Sequence, residues 1–478
     1  MAGVKKNFGY NLILTMGNYI FPLLTYPYVS RVLGVSNIGV VNYIDGIIDY
    51  CILFCALGVG SLGVREIAKV KEDQSKVNEV YSSLFSFNLI LTIVGCIILT
   101  YLSFCVDYFS DYKEYLWIGI LKLFFYVFST EWFFQGLSNF KFITTRSLLV
   151  RSLYVVAIFI FVRTKEDVVI YYLLFVLMPV INAVINFIYS RKFVKFSISS
   201  IHINTYLVAI ISYGFYRILT SMYTTFNVVY LGSVTDVEQV GFFSTSTKVY
   251  FIIMSVFTAF TTVMVPKVSE LLSKRDSKAL SEISYKTFDV IFMVSIPMIV
   301  VFYVYAPLII NLIAGPGFEG AILPFKIVML LLLIIGLEQV IIQQFLMAIK
   351  DSKCIVILSS IGATIGILLN VIFTEKYGAI GSAISWTCSE ISILIVSLFF
   401  FKKYFNLSLP LKRLFISMAL SIPYVVICYS FYTEHITWHI FVSGTLCVLW
   451  FLVSNIYIYK NNMLLDAINS VGSKFINK

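Results

Sequence analysis

The sequence predicts an all-α polytopic membrane protein of about fourteen transmembrane helices. Three observations carry that expectation. The 478-residue chain is 59% hydrophobic and only 13% charged, whereas a soluble domain carries about a quarter charged residues. Apolar runs of about 20 residues recur from one end to the other, each long enough to cross hydrocarbon as a helix. Lysines and arginines crowd alternate connections between these runs.

In chain order the expected spans are 9–33, 39–63, 81–106, 115–136, 144–163, 168–190, 204–232, 240–266, 285–313, 321–348, 354–373, 379–401, 413–433 and 438–459. One side receives Lys5 and Lys6, the cluster from Arg65 to Lys76, Lys141 and Arg146, and Arg191 to Lys195. The same side takes Lys267 to Lys278, Lys350 and Lys353, Lys402 to Arg413, and the tail lysines Lys460, Lys474 and Lys478. The other side collects only Arg31, Lys113, Arg163, Lys165 and Lys376. This asymmetry puts both termini in the cytoplasm and accounts for the formal charge of +10 without nucleic acid. The first run lacks a small-residue cleavage site, so no removed leader is expected. The longest loops, around 64–80 and 267–284, are cytoplasmic and amphipathic, and none is large enough for an extramembrane catalytic domain.

The eight cysteines lie in or beside apolar runs without a C-x-x-C, as packing residues do. His435 and His439 have helical metal spacing but no third ligand, so no metal site is expected. A faint repeat links the two halves. Leu33-Gly34 followed by Gly39-Val-Val-Asn-Tyr is echoed by Leu231-Gly232 followed by Gly241-Phe-Phe-Ser-Thr. Each second helix of the pair leads into a basic loop. Two six-span halves of one orientation make a parallel-repeat transporter architecture. The expected parts are an N-terminal lobe 1–200, a C-terminal lobe 201–403, and two further helices with a tail over 404–478.

Ionisable and amide side chains inside spans are costly and therefore functional candidates. In the first span Asn7, Asn11, Thr15, Asn18, Pro22 and Thr25 recur at intervals of three and four, on one helical face. Such a face looks onto water or another helix, and Pro22 and Pro27 loosen it. Asn42, Asp45 and Asp49 share a face of the second span. Two carboxylates a turn apart repel when both ionise, which suits ion coupling; pairing with a cation is the competing account. Other intramembrane charges are Lys122, Glu131, Arg151, Arg217, Lys248, Asp289, Lys326, Glu338 and Glu390. Lys326 and Lys248 fall where snorkelling is easy. Arginine stays charged and grips phosphate with a planar fork, so Arg151 and Arg217 point to an anionic substrate such as a pyrophosphate. Tyrosines beside the polar faces suit sugar stacking, though interface belts and core packing enrich them too.

From Asn11 to Gly34 the chain reads N-x6-N-x3-P-x4-P-Y-V-S-R-V-L-G, then N-I-G-V-V-N-Y, then A-L-G-V-G-S-L-G-V-R-E-I-A from Ala56 to Ala68. With Y-G-A-I-G-S-A-I-S from Tyr377 to Ser385, this succession resembles the Wzx-type O-antigen flippases of the multidrug/oligosaccharidyl-lipid/polysaccharide exporter superfamily. The resemblance covers nearly the whole chain in layout and is specific mainly in the first 70 residues. It implies two six-helix lobes around a central cavity plus two C-terminal helices, in the bacterial inner membrane. The implied activity is flipping of undecaprenyl-pyrophosphate-linked oligosaccharide by alternating access, with no enzyme chemistry and no cofactor beyond a coupling H+ or Na+. Arg31 and Arg65 match arginines of the family's motifs. On this expectation Arg31, Asn18, Lys122, Arg151, Arg217 and Lys248 meet the substrate. Asp45, Asp49, Glu131, Asp289, Glu338 and Glu390 serve coupling or gating. Membrane lipids, a polysaccharide polymerase and glycosyltransferases are the expected partners. A cation-coupled multidrug exporter of the same superfamily, or a membrane polysaccharide polymerase, is the alternative.

Overall fold

The computed structural model describes residues 2–274, 276–349, 352–432 and 438–458. Arg275, Lys350, His435 and the three tail lysines lie outside the described residues. Every element among the described residues is a helix. The larger ones are α1 (Ala2–Ala56), α2 (Val59–Val70), α3 (Gln74–Cys105), α4 (Lys113–Tyr126), α5 (Glu131–Gly136), α6 (Phe140–Phe161), α7 (Val168–Ser190), α8 (Ile203–Ser221) and α9 (Thr225–Val234). They continue as α10 (Val237–Lys274), α11 (Ser277–Val304), α12 (Ala306–Ile313), α13 (Ile322–Val328), α14 (Leu331–Glu338), α15 (Ser352–Phe405), α16 (Leu411–Leu420), α17 (Ile422–Ser430) and α18 (Trp438–Val453). A π-helical stretch, Gln339–Leu346, follows α14 directly.

By length and composition ten of the described helices can cross a membrane, or eleven when α10, bent by 47° between Ser255 and Phe260, counts as one. The expected number of fourteen is not reached on this criterion. Part of the difference lies in two very long helices, Gly9–Ala56 of 48 residues and Lys353–Phe405 of 53, where one crossing needs about 20. Each is broken at a single glycine with positive φ, Gly34 at 77° and Gly378 at 55°. Glycine reaches that conformation without the Cβ penalty other residues meet.

The second expected span ends early. Helix α1 stops at Ala56, where Leu57 takes a positive φ of 39°, and the glycine-rich stretch that follows begins α2. The apolar run to residue 63 looked continuous because Leu57, Val59 and Leu62 are apolar on both sides of the break. Helix α3 begins at a conventional cap: the Asp73 carboxylate accepts from the backbone N–H groups of Ser75 (3.1 Å) and Lys76 (3.2 Å). The Lys76 N–H holds this exposed carboxyl below its usual range. A lowered folded pKa means the cap is present at neutral pH and is lost as pH falls through that lowered value.

The contacts divide the chain into two compact units, Met1–Ser244 with Gly366–Ser382, and Thr245–Ile365 with Ala383–Lys478. In the first, the buried face of α2 (Val59, Leu62, Gly63, Ile67) packs into an aromatic cluster of Tyr81, Phe85, Trp132, Phe133 and Phe134. Gly63 is needed there, because a Cβ would fall into the Trp132 indole. In the second, α11 and α12 meet α17 and α18 through Val304, Tyr305, Leu308, Tyr424, Cys428 and Cys447. The Tyr305 hydroxyl shares a 2.7 Å hydrogen bond with Ser443, and the Cys428 and Cys447 sulfurs lie 3.9 Å apart.

Gly63→Leu should destabilise the first unit by about 1–3 kcal/mol, the cost of overpacking a filled core. The readout is a lowered Tm of the purified protein in detergent, with Gly9→Leu, at a position with no neighbour near its Cβ, as the neutral control.

Candidate functional site

The first unit gathers charge from five helices, α1, α4, α5, α6 and α8. Asp45 and Asp49 stand one turn apart on α1, and Lys122 of α4 reaches both. Its Nζ donates to Asp45 Oδ1 and to Asp49 Oδ1, each at 2.7 Å. The lysine and Asp45 side chains are 12% and 13% exposed, while Asp49 is 50% exposed. One cation therefore serves two carboxylates, leaving a net negative triad with its open side at Asp49. The Lys122 ammonium also stands 5.7 Å from the Phe175 ring centroid, and Tyr154, Tyr171 and Tyr172 lie close enough to feel the Asp45 charge. The Tyr172 hydroxyl is buried without a partner.

Tyr126, at the end of α4, links this triad to the arginines. It lies within hydrogen-bonding reach of Arg217 and within electrostatic range of Asp49 and Glu131. Arg217 on α8 directs Nη1 at the Leu57 carbonyl (3.5 Å), and Arg151 on α6 directs Nη1 at the Gly17 carbonyl on α1 (3.4 Å). Both side chains are half-buried, and among the described residues neither forms an ion pair. Glu131 instead pairs with Arg146 Nη2 at 3.2 Å. Positive-inside counting assigned Arg146 to the cytoplasmic side, near the start of the expected span 144–163. The structure buries it to 5% exposure, with contacts to Asn186 and Ser147 and with Nε unpartnered. A sequence cue existed: Thr144 and Ser147 flank it on α6, and Arg151 follows after little more than one turn.

Arg31 and Asn18 stay apart from that group. Arg31 is exposed and donates Nη1 to the Pro27 carbonyl one turn back at 2.6 Å. Asn18 is exposed on the first half of α1, as are Asn11 and Pro22. That half also exposes Ile13, Met16, Ile20 and Leu24, so accessibility there is not confined to the polar face.

The second unit holds the other candidates in two separate places. Asp289 of α11 is 7% exposed and lies 3.9 Å from Arg413 Nε of α16, which also donates to Tyr285 Oη at 3.3 Å. Glu338, the last residue of α14, and Glu390 of α15 are both buried, with carboxyl groups within hydrogen-bonding reach of each other. Trp386 Nε1 donates to Glu390 Oε1 at 2.8 Å, whereas Glu338 Oε1 has no partner. The Tyr250 hydroxyl, also unpartnered, is within electrostatic range of both carboxyls. Immediately beyond Glu338, Gln339 accepts from Thr261 Oγ1 at 3.0 Å and donates to Thr258 Oγ1 at 2.9 Å. Here the backbone is π-helical, a local form frequent at functional sites. Trp386 sits four residues before Glu390, the helical spacing that could have marked it. Lys248 is half-buried on α10. Among the described residues no three His, Cys, Asp or Glu side chains cluster as metal ligands, and His435 of the weak histidine pair lies outside them.

A many-helix membrane bundle that buries adjacent carboxyls and half-buries arginines with no ion pair among the described residues has the make-up of a multi-pass transporter. The chain belongs to the polysaccharide biosynthesis protein family, whose model matches residues 4–272, and a MatE model matches residues 213–372. The chain is similar to a provisionally named O-antigen transporter of Escherichia coli K12, 23% identical over 404 residues that cover 83% of this chain and 96% of the relative. A second relative of that name, from Shigella dysenteriae, is 24% identical over 402 residues, covering 83% and 99%. Among solved structures, the lipid II flippase MurJ in an inward closed conformation aligns with a TM-score of 0.78 at 16% identity, covering 94% of this chain and 98% of that one. An inward-facing multidrug resistance MATE family transporter aligns with a TM-score of 0.65 at 17% identity, covering 82% and 94%. These likenesses show the fold.

Removing one member of a buried ion pair typically costs about 3–5 kcal/mol, because it strands the opposite charge. Lys122→Met should therefore lower Tm more than the triple variant that also carries Asp45→Asn and Asp49→Asn. Equal losses would show that the triad does not act as a unit.

Proposed function

We propose that this chain flips lipid-linked oligosaccharide across the bacterial inner membrane, carrying undecaprenyl-pyrophosphate-linked repeat units for surface polysaccharide from the cytoplasmic to the periplasmic leaflet. The observation that carries this reading is the pair Arg151 and Arg217. Both are half-buried, directed at main-chain carbonyls and, among the described residues, in no ion pair, with Glu131 within electrostatic range of Arg151. A diphosphate headgroup is the natural counter-ion for two such forks. Lys122 is better read as a structural cation, since it already faces two carboxylates.

In mechanism the sugars enter from the cytoplasm while the polyprenyl tail stays in lipid. Arg151 and Arg217 hold the pyrophosphate, and Tyr126, within reach of Arg217, serves the sugars. Alternating access then exposes the headgroup to the opposite side. Among the sequence-predicted carboxylates, Glu338 and Glu390 suit ion coupling best. Two adjacent buried carboxyls repel when both are charged, and a proton or Na+ between them relieves the repulsion. The orphaned Glu338 oxygen and Tyr250 hydroxyl leave ligand capacity for it. Both termini face the cytoplasm on the charge asymmetry, and the polymerase and glycosyltransferases of the same pathway are the fitting partners.

The MatE match favours a second reading, cation-driven drug export. Proteoliposomes separate the two. A fluorescent polyprenyl-pyrophosphate oligosaccharide should flip, and Arg151→Ala or Arg217→Ala should each slow it about tenfold to a hundredfold, the worth of a charge-assisted contact. Drug efflux without lipid movement would defeat the proposal. Glu338→Gln and Glu390→Gln should leave substrate binding intact and abolish the dependence of flipping on an imposed H+ or Na+ gradient. Gradient dependence retained in both variants would move coupling elsewhere.

A further inference from the structure

The two glycines that mark the internal repeat meet in space. A Cβ built on Gly39 would fall onto the Val237 carbonyl and 3.1 Å from the Gly241 nitrogen, and one built on Gly241 would fall onto the Val35 carbonyl and 2.7 Å from Val35 Cγ2. The same 202 residues separate Val35 from Val237 and Gly39 from Gly241. Each glycine thus rests on the carbonyl of its counterpart's neighbour, the reciprocity that a two-fold axis imposes on a self-complementary contact. Backbone thus approaches backbone here, with the Val35 side chain beside Gly241. All four residues belong to the first unit.

The crossing follows the Gly34 turn on α1 and lies at the start of α10. It is followed along α1 by a tight seam. The ring of Tyr43, one turn on, occupies the space a Cβ on Gly232 would need. Tyr108 Oη donates to the Gly232 carbonyl at 3.1 Å and shares a 3.1 Å hydrogen bond with Tyr43 Oη. Gly46 then faces Val228 and Val229, with Val229 Cγ2 3.2 Å from its would-be Cβ. Gly39, Tyr43 and Gly46 lie at helical intervals of four and three on one face.

We infer that the Gly39–Gly241 crossing is the closure of this protein at its non-cytoplasmic end, a steric latch that shuts only because both repeat copies lack a side chain. The inference rests on the alternating-access reading above and adds the residues that set one of its states. A bulky side chain at either glycine holds the latch open. Backbone against backbone leaves no rotamer that relieves the clash, so the closed state loses about tenfold or more in population.

The test uses the full-length protein in native membranes. Val35→Cys with Val237→Cys, on either side of the crossing, should be joined by a short homobifunctional thiol reagent, and either single cysteine should not. Adding Gly39→Leu or Gly241→Leu should abolish that cross-link and raise labelling of Ile38→Cys, fully buried here, by a membrane-impermeant maleimide about tenfold; Gly9→Leu should do neither. In proteoliposomes the cross-link should stop flipping, and cleavage of a reducible linker should restore it. Failure to cross-link, or undiminished flipping with the latch covalently shut, overturns the inference. A protein that cross-links as expected, but moves no lipid-linked sugar even before cross-linking, instead defeats the proposed function and leaves the latch standing.

Discussion

Charge placed where water is scarce has to find its counter-charge inside the protein, and the Lys122–Asp45–Asp49 triad is where that constraint acts most strongly. It fastens α4 to the middle of α1, and α1 in turn carries the Gly17 carbonyl that meets Arg151 and the glycines of the crossing. Holding two carboxylates with one lysine leaves the triad net negative and puts this unit's half-buried positive charge on the arginines. A second lysine there would make the site indifferent to anions, and a missing one would strand a buried carboxylate.

The two units treat acidic groups differently. In the first, Glu131 is consumed by Arg146, and Asp45 and Asp49 by Lys122. In the second, Asp289 lies against Arg413, but Glu338 and Glu390 face each other. Among the described residues, the half-buried arginines without an ion pair thus lie in one unit and the adjacent buried carboxyls in the other.

Much of this was legible in the sequence, though unevenly. The membrane character, the all-helical fold and the resemblance to polysaccharide flippases follow from hydropathy and from the Pro-Tyr-x-x-Arg-x-Leu-Gly stretch ending at Gly34. The residue types of the site were visible too, because any charge within an apolar run stands out. Its pairings were not. Lys122 lies 77 residues from Asp45, and periodicity speaks only of neighbours on one helix. The burial of Arg146 was not foreseen because charge counting treats a cation near a span end only as a marker of sidedness, whereas Glu131 and Asn186 pair with it inside. The end of the second span was misread because Leu57 and Gly58 break the helix without interrupting the apolar run.

The latch glycines bear on how such a chain could arise. A surface that pairs with its own repeat copy needs no second sequence to recognise. It would join two half-length polypeptides as readily as it joins the halves of one. Doubling the gene for a self-associating half would preserve that contact from the start, and side chains such as the Glu338 and Glu390 carboxyls could diverge afterwards.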